Sequence, residues 1–469
     1  MKADLSRLKN PVARKSRIEI SANAGQSARM DTSSNPKKDE GLIRALGVPG
    51  VTANIVNATV GAGIFAWPAT IAMQIGAASP LAYVICGAAM CLFVTCFAMA
   101  GSRVSLTGGL YAYVEVAFGR YVGFLAGVLY FLTAILAISG IVDLIATSVG
   151  ALIPTLAGPV GRISIILFVF VLLVTINIRG VQIGARAVES VTIIKLVPLL
   201  VFIVAGLFFL RPDALAWPGW PRGDMLGRSV LQLLFAFVGV EIALVPSGEI
   251  KNPSRTVPRA IFLALGITTL LYILIQLVAL GVLGNELGKY GDTALAEAAS
   301  RFLGNGGRLL MLAGLAISAF GWTTSDILSS PRIIYAFGRD RFLPDWFARV
   351  HPRFHTPHVA IVTYALIALA LSFSSTFQKL AVLSNTAVLL LYILCALAAL
   401  ELNRRDVRGD GKPFTFPGVF LVPIAAVVVI IWILAHATKD ELMITAACMA
   451  VASILFLIRQ SLIKSWDQR

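Results

Sequence analysis

The sequence predicts an all-α integral membrane protein with twelve transmembrane helices. Three observations carry this. Of the 469 residues, 58% are hydrophobic and only 13% charged, and the mean hydropathy is +0.84, more apolar surface than a soluble core uses. Apolar runs of about 20 residues, the length that crosses about 30 Å of hydrocarbon, recur almost throughout after residue 48. Two of these runs, five spans apart, are interrupted by glycine and proline in matching places.

The spans cover about 50 to 74, 79 to 102, 121 to 150, 161 to 178, 189 to 210, 227 to 248, 258 to 284, 307 to 335, 357 to 376, 378 to 402, 416 to 436 and 441 to 459. A strand barrel is excluded because its lipid-facing strands would alternate in polarity. Residues 1 to 48, rich in Lys, Arg, Ser and Asn, read as a disordered basic cytoplasmic tail rather than a cleaved signal. With that tail inside, the inner segments gather most of the Lys and Arg, among them Arg103, Arg120, Arg179, Arg332, Arg404 and Arg405, which sets both termini in the cytoplasm. The net charge of +15 is then topology signal and contact with anionic lipid, not a nucleic-acid surface, because the basic residues are scattered over loops. All five cysteines fall inside apolar spans, so no disulfide framework or metal site is expected. His351, His355 and His358 share one inner loop, where a basic surface loop outweighs a metal site.

Span 1 contains Gly61, Gly63 and Pro68, which do not support an unbroken ladder of helix hydrogen bonds. Span 6 repeats the arrangement with Gly239, Pro246 and Gly248. Interrupted spans at corresponding positions point to a 5+5 inverted-repeat core. Repeat one covers about 49 to 210 and repeat two about 227 to 402, while residues 403 to 469 hold helices 11 and 12 and a short cytoplasmic C-terminus. An unwound helix frees N–H groups on one side of the break and C=O groups on the other, two poles that suit an amino acid zwitterion.

The motifs VGAGIF (60 to 65), GGLYAYVEVAFG (108 to 119), FAFVGVEIALVPSGEIKNPSRTVPRAI (235 to 261) and SSPRIIYAFGRDRFLPDWFARVHPRFHTPHVAI (329 to 361) resemble the amino acid-polyamine-organocation superfamily over essentially the whole chain from residue 49. The resemblance implies a LeuT-like core with broken helices 1 and 6. It implies amino acid transport by alternating access, independent of sodium. By the same match, amides around Ala62, Gly63 and Ile64 hold the substrate carboxylate, and carbonyls at Thr59, Phe235, Ala236 and Val238, with Gly239 at the break, hold the amine. Phe235 resembles the aromatic that closes over substrate, and Trp322 an inner gate of the antiporter branch.

Charges at bilayer depth mark function unless they reach an interface. Lys195 stands about six residues, roughly 9 Å, into span 5, and either snorkels or points inward against spans 1 and 8. It resembles the lysine that replaces sodium in sodium-independent members. Glu241, near the middle of span 6, resembles a proton-sensing glutamate of the antiporters; its structural alternative is an acid capping loose backbone at the break. Lys195 and Glu241 are therefore the candidates for proton coupling. Asp143 is expected near the outer end of span 3, and Asp326 either pairs with Arg332 or lines the inner pathway. Glu249, Lys251, Asn252, Arg255 and Arg259 either latch the inner end against Arg120 or form a solvated loop.

Span 3 offers only Ser139 as a polar side chain between Ile135 and Ile141, so a basic substrate would find no partner there and neutral amino acids are favoured. The reading is a proton-coupled symporter of neutral amino acids in a bacterial inner membrane. The alternatives are an amino acid/amine exchanger and a non-transporting amino acid sensor. No enzyme signature or cofactor motif occurs in the spans. The expected partners are an amino acid or amine, protons and membrane lipid, with no nucleic acid; a homodimer stays open.

Overall fold

The computed structural model describes residues 47–104, 109–180, 185–217, 219–241, 250–339, 342–408 and 413–467, all within one compact unit that spans 39–469. The basic tail, Pro246, Gly248 and Glu249 lie outside the described residues.

Among the described residues the architecture is all-α. Residues 48–206 hold α1 (Val48–Thr59), α2 (Gly63–Ile75), α3 (Ser79–Gly101), α4 (Leu110–Phe118), α5 (Arg120–Leu152), α6 (Pro159–Ile178) and α7 (Ala185–Gly206). There follow α8 (Gly223–Phe237), α9 (Pro253–Leu283), α10 (Ala294–Ser329), α11 (Pro331–Arg339), α12 (His358–Ser374) and α13 (Phe377–Arg404). The last pair is α14 (Leu421–Leu434) and α15 (Lys439–Asp467). Six helical segments are long and apolar enough to cross a membrane, and three shorter apolar helices accompany them. The protein is thus a multi-pass integral membrane protein.

The apolar runs of the sequence map onto these helices with two informative differences. Expected span 1 is two helices, α1 and α2, separated by Val60, Gly61 and Ala62. Expected span 8, at 307 to 335, is longer and then cut short: α10 starts at Ala294, bends at Gly304 (φ +61°), and ends at Ser329. Pro331 begins α11, since its ring removes the N–H that would continue α10.

At 33 residues, about 50 Å, α5 is longer than the hydrocarbon is thick. It packs on α13, α10, α4, α6 and α12, and is therefore buried along most of its length. Close approach between helices comes from small residues. A Cβ at Gly314 of α10 would stand 2.8 Å from Pro198 of α7, and one at Gly206 of α7 would stand 2.3 Å from Val278 of α9. By contrast α15 is mostly outward-facing, with 11% of its apolar window buried, as a lipid-exposed helix is.

Candidate functional site

The first break is local chemistry. Thr59 ends α1, Val60 leaves helical geometry (φ −74°, ψ 83°), and the Gly61 N–H turns back to the Thr59 carbonyl at 2.8 Å. α2 restarts at Gly63, so the first N–H groups of that helix, those of Gly63 and Ile64 included, have no carbonyl within the helix to donate to. At the second break α8 ends at Phe237, Val238 is extended (φ −65°, ψ 142°), and Gly239 has φ +118°.

The two breaks meet. A Cβ at Gly63 would lie 3.1 Å from Ala236 Cα and 3.2 Å from the Phe235 ring. One at Gly239 would lie 2.7 Å from the Ala58 carbonyl oxygen, closer than a real Cβ stands. Gly239 is therefore demanded twice, by its positive φ and by the backbone opposite. Phe235 is 8% exposed, and Trp322 is half-buried with its ring edge 3.6 Å from where a Cβ of Gly61 would be. The residues singled out in the sequence, Thr59, Ala62, Gly63, Ile64, Phe235, Ala236, Val238 and Gly239, thus stand at or beside one junction.

One residue the sequence did not single out closes that junction. Tyr272 of α9, fully buried, places its hydroxyl 3.0 Å from the Thr59 carbonyl and 2.8 Å from the Ala236 carbonyl. A phenol has a single proton to donate, so when it serves the Thr59 carbonyl, which also accepts from the Gly61 N–H, it does not serve that of Ala236. The Thr59 hydroxyl beside them is buried without a partner among the described residues. The junction thus holds carbonyl oxygens with acceptor capacity to spare, a setting an ammonium, with three donors, suits.

The buried charges face inward. Lys195, 3% exposed, donates from its ammonium to the Asn57 carbonyl of α1, so it reaches toward span 1 instead of snorkelling. Glu241, also 3% exposed, accepts from the Gly239 N–H at 3.1 Å and from the Tyr392 hydroxyl at 2.9 Å. It caps the backbone of the second break and ties it to α13. Asp326 accepts from Ser330 at 2.7 Å and from Tyr364 at 2.6 Å, while Arg332 is exposed. The Asp326–Arg332 pairing does not form, because Pro331 separates the two helices and Arg332 points outward. Asp143 accepts from Arg162 at 2.8 Å. Lys251 and Asn252 precede α9, Arg255 and Arg259 stand on its first turns and Arg120 begins α5; all are exposed, and the charged ones make no ion pair among the described residues.

The Ser139 hydroxyl, alone in its stretch of span 3, turns back to the Ile135 carbonyl at 2.6 Å. His351 Nδ1 accepts from the Arg353 and Phe354 N–H groups, a turn cap, and no cluster of metal-ligating side chains exists among the described residues.

Comparison with known proteins agrees with this anatomy. Residues 46–458 match the family model described as amino acid permease. The chain is similar to the serine/threonine exchanger SteT of Bacillus subtilis, 29% identical and covering 83% of this chain and 90% of that one. It is also similar to the methylthioribose transporter of Bacillus subtilis, 27% identical over 86% and 90%. A third relative is the arginine/ornithine antiporter of Pseudomonas aeruginosa, 25% identical over 87% and 89%. The names of these relatives span hydroxy amino acids, a sugar derivative and basic amino acids, so they fix a class and leave the cargo open. The chain belongs to the amino acid permease family, as a secondary transporter of amino acid-type substrates across a membrane.

Proposed function

We propose that this transporter carries neutral amino acids by alternating access through a LeuT-like five-plus-five inverted-repeat core, independently of sodium and driven by protons. The observation that carries the reading is the meeting of the two helix breaks. It sets the first amides of α2 beside carbonyls of Thr59 and Ala236 that share one tyrosine hydroxyl. The substrate carboxylate binds the amides of Ala62, Gly63 and Ile64, where a helix N-terminus favours negative charge. The ammonium takes the carbonyls of Thr59, Phe235, Ala236 and Val238. Phe235 closes over the substrate, and Trp322 stands at the inner side.

Neutral cargo is favoured because the stretch of span 3 from Ile135 to Ile141 has no free polar side chain: the Ser139 hydroxyl donates to its own helix. A charged substrate side chain would stay unpaired in a medium of low dielectric.

Lys195 and Glu241 are the proton-coupling groups. The Lys195 ammonium reaches the first broken helix and Glu241 holds the second, so a change of charge at either acts on the junction. Replacement of Lys195 by Ala or by Met is expected to abolish the response of uptake to a proton gradient, measured as initial rates in proteoliposomes. Unchanged uptake and pH dependence in both variants would remove Lys195 from the coupling. Glu241→Gln keeps an oxygen for the Gly239 N–H, so it is expected to fold and to carry substrate while losing the pH response. Loss of folded protein would leave Glu241 the capping role alone.

The Lys and Arg distribution supports a bacterial inner membrane location with both termini in the cytoplasm. The test is uptake of a panel of radiolabelled amino acids into proteoliposomes, with and without an inward proton gradient and with unlabelled amino acid inside. Stimulation by the gradient alone supports symport. A second reading, exchange, is favoured by the similarity to the serine/threonine exchanger SteT. It predicts uptake only against internal substrate. No uptake of any amino acid or amine would overturn the substrate class.

A further inference from the structure

We infer that Gln378 and Asp292 form a latch which holds the outer end of the bundle shut over the junction, and that it parts each time substrate enters from outside. The inference rests on the transport reading and on the orientation proposed above.

Phe377, the first residue of α13, is 1% exposed. Its ring meets Phe235 of α8 edge-on at 5.4 Å and Trp67 of α2 at 5.6 Å between centroids, one ring against a ring from each broken helix. Its backbone is pinned. The Phe377 N–H donates to Asp143 Oδ2 at 3.1 Å, and Asp143 Oδ1 accepts from Arg162 Nε at 2.8 Å. The same guanidinium donates from Nη2 to the Ser372 carbonyl at 3.1 Å. α5, α6, α12 and α13 are thereby fastened around the ring, and none of the four is interrupted at the junction. They make a frame.

The other side of the contact belongs to the broken helices. α2 carries the 3-10 segment Gly284–Thr293 against it, close enough that a Cβ at Gly288 would stand 3.1 Å from Met73 Cγ. That segment reaches the frame by a side-chain hydrogen bond: Gln378 Nε2 donates to Asp292 Oδ1 at 2.7 Å. Ring contacts slide at little cost, whereas a hydrogen bond is either made or released. Gln378 follows Phe377 in the chain, so the bond and the lid ring move together.

Asp292 lies outside the spans and is half-buried. Burial first, and the charge of Asp143 second, push its carboxyl up to about 6, against the opposing effect of the Gln378 bond. Asp143 of α5 and Gln378 of α13 face it from the frame, and Arg162 of α6 is engaged by Asp143. On its own segment stand Glu286, Lys289 and Tyr290, joined to one another or to Arg301 of α10, where Glu297 also pairs with Arg301. Arg211 lies beside Gly284, and α2 brings no charged side chain. With the latch open Asp292 returns to water and to an ordinary carboxyl, so the shut form binds the proton more tightly. Outside acidity thus favours the shut latch, and the preference fades as pH rises through about 6.

The test uses the full-length transporter in proteoliposomes carrying Asp292→Cys with Gln378→Cys. Oxidative cross-linking, verified by mass spectrometry, is expected to lower uptake at least tenfold, and a reductant to restore it, with each single variant insensitive. Unchanged uptake after complete cross-linking would overturn the latch. A second arm needs no substrate. Ala236→Cys, at the junction, is labelled by an impermeant maleimide added outside, in the parent and in an Asp292→Asn background. The parent-to-variant ratio of labelling rates is expected to rise severalfold from pH 5, where Asp292 of the shut form is mostly neutral, to pH 7.5, where it is ionised in both forms. A parent-to-variant ratio that does not change with pH would overturn the role of Asp292. If the parent carries no amino acid, the transport reading fails while the labelling arm still decides the latch.

Discussion

Gly239→Ala is expected to lower the initial rate of uptake by about 10- to 100-fold while leaving most of the protein folded. A positive φ costs a residue with a Cβ about 1–3 kcal/mol, and here the methyl group would also stand 2.7 Å from the Ala58 carbonyl oxygen. Every about 1.4 kcal/mol is a factor of ten, so strain alone supplies most of the range. The strain is released by moving the two breaks apart, which separates the carbonyls of Thr59 and Ala236 from the first turn of α2. The control is Gly266→Ala on α9, where a Cβ meets nothing within 4 Å and φ is ordinary. Uptake by both variants, normalised to monodisperse protein by size-exclusion chromatography, checks the expectation. Equal rates would show that the breaks need no contact at Gly239.

Tyr272→Phe is the second large effect. It removes the hydroxyl shared by the Thr59 and Ala236 carbonyls and leaves both without that donor in the empty protein. Each buried group left unsatisfied costs about 1–3 kcal/mol, so the variant is expected to melt several degrees lower without substrate and to lose uptake about tenfold. A substrate ammonium supplies donors to the same oxygens. Substrate should therefore raise the melting temperature of the variant by more than it raises that of the parent, as read by a thermal-shift titration. A purely packing role for Tyr272 predicts equal substrate effects in the two proteins. That outcome would remove the ammonium from these carbonyls.

Both effects concern a junction whose halves were legible separately. Gly61 and Gly63 announce a break because backbone freedom is a local property of glycine, and the structure separates α1 from α2 there, while α8 ends at Phe237, just before Gly239 with its positive φ. Lys195 and Glu241 stand out as charges in apolar runs, and both are buried. Which groups receive those charges was not legible. The Lys195 ammonium ends on a backbone carbonyl, which every residue carries, and Glu241 meets Tyr392, 151 positions away. Asp326 shows how local spacing misleads. Arg332 lies on the far side of a proline, and the partners are Ser330 and a tyrosine 38 positions on. Tyr272 and Phe377 carried no signal because an aromatic residue in an apolar run is ordinary until its neighbours are known.

The sequence by itself determined the membrane-spanning all-α class, the place where the first span breaks and the ionisable groups within apolar runs. Each of these follows from the chemistry of single residues against a uniform apolar background. Only the tertiary structure decided that Gly239 meets Ala58, that Tyr272 bridges the Thr59 and Ala236 carbonyls, and that Phe377 packs on Phe235 and Trp67. Those contacts join segments 36 to 310 positions apart in the chain, and their geometry is set by how whole helices pack.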